Sequence, residues 1–83
     1  MIAVIDTGID TSNPMFLGKI HPASVSLIDA PGGLNDVGDG INSDGDAFTD
    51  EMVGHGTWAA GIASMVAPDA RLMVVRTLND EGY

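Results

Sequence analysis

Two short apolar runs constrain what this chain can fold into more than any other feature. The first is Met1-Ile2-Ala3-Val4-Ile5, rich in β-branched residues and stopped by Asp6-Thr7-Gly8. The second is the apolar stretch Arg71 to Leu78, RLMVVRTL. A continuous run such as the first reads as a strand covered on both faces, the habit of parallel sheets. Between them, residues 57–67, TWAAGIASMVA, suit a helix. Trp58, Ile62, Met65 and Val66 fall on one stripe. Ala59, Ala60, Gly61, Ala63 and Ser64 are small, so something packs closely against this helix. Pro68-Asp69 ends it, because the residue before a proline disfavours the α region. Residues 23–29, ASVSLID, alternate and supply another candidate strand. A helix between apolar strands implies an α/β fold, with a parallel sheet, right-handed crossovers and a flanking helix.

The segments between are loops. Residues 7–22 mix Gly, Asp, Asn and Pro around Met15-Phe16-Leu17, with room for one helical turn. Residues 30–54 are Gly- and Asp-rich, with turn signals at Pro31-Gly32-Gly33, Gly38-Asp39-Gly40 and Asp44-Gly45. A loop this long inside a compact domain is usually functional or ordered by a ligand. Asn79 to Gly82 reads as a turn. The 83 residues suffice for a single small domain, 1–83, with a small core. No cysteine is present to cross-link it.

Charge narrows the function classes. Twelve acidic residues face three basic ones, for a net charge of −9. That excludes nucleic acid as a partner, since phosphate contacts need Lys and Arg. It is compatible with cation binding. Seven of the acids lie between Asp29 and Glu51, with no Lys or Arg among them. No apolar run approaches a membrane span, and nothing reads as a signal peptide, so no membrane partner is expected.

Two segments carry candidate chemistry. In Val4-Ile5-Asp6-Thr7-Gly8-Ile9-Asp10 a carboxylate sits at the carboxyl end of a buried strand, the edge where α/β sheets collect ligands and catalytic groups. Such an Asp also caps turns. In Gly54-His55-Gly56-Thr57-Trp58 a histidine between glycines opens the helix. It reads either as a helix cap or as an imidazole left sterically open. At a helix N-terminus the dipole disfavours imidazolium, so a nearby carboxylate is needed to stabilise the charged form, and Asp6 is a candidate. The acidic loop is the third feature. Asn42, Asp44, Asp46 and Asp50 place oxygens at spacings like the first half of an EF-hand and form a candidate calcium site. Ala47 and Val53 occupy the positions of the loop glycine and the bidentate glutamate. A shifted register restores Gly45 and Glu51 to those roles but puts Gly40 at the first ligand. A merely solvated acidic loop is the alternative.

Taken together, the Asp and His segments resemble the subtilase family of subtilisin-like serine proteases. AVIDTGID is similar to its aspartate motif and GHGTWAAGIAS to its histidine motif. The stretch from Val66 to Leu78 looks like the strand that follows the histidine helix there. The order, Asp before His, is that of subtilisin-type triads. The resemblance implies a partial, truncated subtilisin-like sheet and a parent enzyme that hydrolyses peptide bonds in protein or peptide substrates. It assigns Asp6 as the orienting carboxylate and His55 as the general base. It implies a nucleophilic serine in a Gly-Thr-Ser-like segment. Ser12, Ser24, Ser26, Ser43 and Ser64 lack that context, so the 83 residues alone are expected to be inactive. A non-catalytic, calcium-dependent binding module is the competing reading. Trp58 stands where many subtilases carry a second histidine. Met15 stands where the family often has a calcium-binding aspartate, so the resemblance does not carry calcium to that point. The family often carries an Asp-Gly-Asn-Gly-Tyr-x-Asp-Asp stretch before its histidine, similar to the acidic loop. A secreted or extracellular parent is also implied. So is a sheet that continues elsewhere, leaving this piece to pair with another copy or with the rest of the protease domain.

Overall fold

A computed structural model describes residues 1–28, 32–42 and 44–83. The expected end of the second strand at Asp29, the turn residue Pro31 and Ser43 of the acidic loop lie outside the described residues. The elements, in chain order, are strand β1 (Ile2–Asp6), a 3₁₀ turn (Pro14–Phe16), strand β2 (Val25–Ser26), helix α1 (His55–Val66) and strand β3 (Leu72–Arg76). The three strands form one parallel sheet in the order β1-β3-β2. The fold is α/β, as the apolar runs implied.

Register fixes the site. Ile2 pairs with Leu72 and the ladder runs on to Asp6 against Arg76, so both residues finish their strands at the same carboxyl edge. β2 adds Val25 against Val75 and Ser26 against Arg76. It is shorter than the alternation at 23–29 suggested. One reason is that the Ser24 hydroxyl, not a backbone carbonyl, accepts from Val74 N at 2.9 Å, so a side chain replaces the ladder bond there. The 3₁₀ turn forms where Asn13 Oδ1 accepts from Met15 N at 3.0 Å and Pro14 fills the first helical position.

The core is small. Val4, Leu72 and Val74 from the sheet meet Ala60 of α1, with Ile9 and Phe16 closing it from the loop after β1. Two expectations need correction. β1 was read as covered on both faces, yet Ala3 and Ile5 are exposed, Ile5 by 65%. Helix α1 packs on β1 from one side and leaves the other open. The apolar stripe of α1 also faces solvent: Trp58 is 68% exposed, Met65 75% and Val66 81%. The buried face is instead Gly56, Ala60 and Ser64. Small residues at four-residue spacing let the helix approach β1 more closely than a stripe of large ones would. Among the described residues, no helix is long and apolar enough to cross a membrane.

Candidate active site

Asp6 is the last residue of β1 and His55 the first of α1. The register and the helix packing bring them together across 49 residues of chain. The His55 Nδ1 lies 2.9 Å from both Oδ1 and Oδ2 of Asp6. A carboxylate only accepts, so Nδ1 carries a proton, and in the neutral imidazole the lone pair is then on Nε2. The two side chains differ in exposure, 13% for Asp6 and 49% for His55. Thr7 N donates to Asp6 Oδ1 at 2.7 Å and fixes that carboxylate further. A shielded carboxylate holding one face of a half-exposed imidazole is an arrangement that can move a proton at the other nitrogen.

The first turn of α1 is held from outside itself. Gly54, its N-cap, has φ 94° and no side chain to cap with. Thr7 Oγ1 accepts from Gly56 N at 2.9 Å. Asp36 Oδ2 accepts from Gly54 N at 2.8 Å, from Thr57 Oγ1 at 3.2 Å and from Thr57 N at 3.4 Å. Thr57 Oγ1 in turn accepts from Asp10 N at 2.8 Å. Two motif glycines make this approach possible. A Cβ on Gly56 would overlap the Gly8 carbonyl oxygen, and one on Gly8 (φ 103°) would overlap that of Leu34.

A model of the subtilase family matches residues 1–83, from before the Asp6 strand to beyond β3. The chain belongs to the subtilase family. Neither a curated protein nor a solved structure gave a match. Subtilases are serine peptidases, and in this subtilase Asp6 and His55 are in contact at the sheet edge. Among the described residues, no serine hydroxyl hydrogen-bonds the His55 ring.

The acidic loop of this subtilase divides the four residues that the sequence grouped. Asp44 and Asp46 gather with Glu51 and Glu81, their oxygens within 4.8 Å of one another. Asp50 joins Asp39 and Asp80 in a second group. Asn42 spends its side chain on the loop itself: Nδ2 donates to Asp46 O at 2.6 Å, and Oδ1 accepts from Gly45 N at 3.0 Å. Asp44 and Asp46 also turn the loop, accepting from Asp46 N and Phe48 N. Asp80 Oδ2 accepts from Asp39 N at 3.0 Å, and Met52 N donates to Asp80 O at 3.0 Å, so the loop is tied to the turn after β3. Sequence reading missed Asp80 and Glu81 because they lie beyond β3, and Asp39 because it precedes the EF-hand-like spacing in the same loop; only the shifted register pointed to Glu51.

Crowded carboxylates leave a mark. The Glu51 backbone amide pulls its carboxyl pKa down. The hydrogen bond shared with Glu81, desolvation and the charges of Asp46 and Glu81 outweigh it and push the pKa up to about 7. In the second group, Asp50 Oδ1 is buried with no hydrogen-bond partner among the described residues, while its Oδ2 accepts from Gly40 N at 2.8 Å.

Proposed function

We propose that this subtilase is an endopeptidase that hydrolyses protein substrates through an Asp-His-Ser triad, with Asp6 as orienting carboxylate and His55 as general base. The observation that carries the reading is the 2.9 Å contact of His55 Nδ1 with both Asp6 oxygens. With Nδ1 so held, Nε2 takes the proton of a serine hydroxyl as its oxygen attacks the scissile carbonyl. The imidazolium formed is stabilised by Asp6 and then protonates the leaving amine. Residues 1–83 contain no Gly-Thr-Ser segment, so the nucleophile is proposed to come from further chain, and these residues alone to lack triad-dependent hydrolysis. A fluorophosphonate that labels active-site serines tests the reading. It should label the protease bearing this chain, and His55→Ala should abolish the labelling. Equal labelling of the His55→Ala protein would overturn the role given to His55.

The reading extends to calcium. The donor set is all hard carboxylate oxygen, which suits that ion. The raised pKa of Glu51, a sign of crowded negative charge, and a buried Asp50 oxygen without a partner among the described residues both fit a cation shared among these groups. Asp44, Asp46, Glu51 and Glu81 would hold one ion, and Asp39, Asp50 and Asp80 are a second candidate set. Bound there, calcium supplies charge neutralisation that fixes the acidic loop to the turn after β3, ahead of His55. Subtilases are commonly secreted, and an extracellular setting, where calcium is plentiful, is the one proposed. The open side of β1 and the exposed stripe of α1 are proposed to be covered by further protease chain or by a second copy.

A further inference from the structure

Asp36 belongs neither to the Asp6–His55 contact nor to the two acidic groups, yet its carboxylate is buried, 8% exposed. One of its oxygens, Oδ2, receives Gly54 N at 2.8 Å, Thr57 Oγ1 at 3.2 Å and Thr57 N at 3.4 Å. Those donors bracket His55: one lies just before it, the others two residues after.

Asp36 is itself tied to the segment that follows the Asp6 strand. Its N–H donates to Ile9 O at 3.0 Å, and Ile9 N donates to Leu34 O at 2.9 Å. Ile9 and Asn35 form a parallel bridge. Thr57 closes a circuit, since its hydroxyl donates to Asp36 and accepts from Asp10 N at 2.8 Å. The extension of β1, the segment 34–36 and the first turn of α1 are thus clamped to one another on both sides of His55. The packing that buries the helix does not require this: its contacts lie at Gly56, Ala60 and Ser64.

We propose that Asp36 is a positioning residue that sets the first turn of α1 so that the His55 Nδ1–H meets Asp6. Its importance for hydrolysis rests on the triad reading above, but its test does not. The test follows the hydrogen-bonded Nδ1 proton of His55 and the ring nitrogen shifts by NMR, with the amides of β1 and β3 as the measure of fold. In the unsubstituted protein the Nδ1 proton is seen at low field. Asp36→Ala loses that signal to exchange while the strand amides stay protected. Asp36→Asn, which keeps an acceptor oxygen in place, retains it. Thr57→Val, which cuts the hydroxyl's bonds to both Asp36 and Asp10 but keeps the Thr57 N–H, shifts and broadens it.

An unchanged His55 signal in Asp36→Ala overturns the proposal and leaves the triad reading standing. Loss of strand-amide protection in the same variant makes Asp36 a residue of the whole fold and also overturns it. Asp36→Asn behaving like Asp36→Ala puts charge, not acceptor position, in control and overturns it too. Absence of the signal from the unsubstituted protein removes the Asp6–His55 contact itself, and the triad reading with it.

Discussion

Gly56 and Gly8 let the first turn of α1 and the turn after β1 touch backbone to backbone, and that contact sets how far His55 stands from Asp6. An added methyl at Gly56 has only backbone to push against. Gly56→Ala is therefore predicted to lower stability by about 1–3 kcal/mol, read as a shift of the urea midpoint at constant slope. A midpoint equal to the parent's would contradict the close approach. Thr7→Val tests the neighbouring cap. It removes the acceptor of the buried Gly56 N–H and is expected to cost roughly 1–2 kcal/mol in the same measurement. At this scale Asp6 and His55 were legible because each sits in a contiguous motif. Asp36 was not, since its partners Gly54 and Thr57 lie 18 and 21 residues away and nothing local marks it. The roles of Thr7 and Thr57 were hidden for the same reason.

Among the elements, strands and helix were readable from apolar runs and small residues, while the buried face of α1 was not. A stripe of large apolar residues normally marks the inner face. Here the neighbour is backbone at Gly8, so the small face goes inward and Trp58, Met65 and Val66 go out. The acidic loop was legible as a loop rich in oxygen ligands, but its grouping depends on the turn after β3, which local spacing cannot reveal. Two predictions belong to this loop. In chelator, the raised pKa of Glu51 means that the folded state holds its proton more tightly than the unfolded chain. Its contribution to stability is full below the ordinary value of 4.5 and is lost as pH rises to about 7. Thermal unfolding between those limits should show that decline, and Glu51→Gln should flatten it; an identical profile in the variant would contradict the assignment. Calcium should act in the opposite sense at neutral pH. At 100 times its Kd, one ion adds about 2.7 kcal/mol, or roughly 10–20 °C in Tm for a domain this small. Asp44→Asn with Glu81→Gln should remove that gain. A Tm indifferent to calcium would remove the metal reading.

The whole molecule is one parallel sheet with a helix on one side and little on the other. Ile5, Leu27, Trp58, Met65 and Val66 are all exposed, and among the described residues β1 has a neighbour on one flank only. Apolar surface and a free strand edge of this kind favour association. Residues 1–83 by themselves should therefore assemble in light scattering, with the emission of Trp58, the sole tryptophan, moving to the blue as concentration rises. A monomer with concentration-independent emission would contradict this. The family was legible from the Asp and His motifs. The geometry behind them needed the fold, which puts a strand end and a helix start in contact across 49 residues. The most direct test of the central claim is the kcat of the protease bearing this chain, measured on a fluorogenic peptide, before and after Asp6→Asn. Loss of the carboxylate that holds the His55 tautomer should lower kcat about 10⁴-fold with KM little changed. A variant that keeps kcat within about tenfold of the parent, short of the two or more decades that general-base catalysis supplies, would contradict the account.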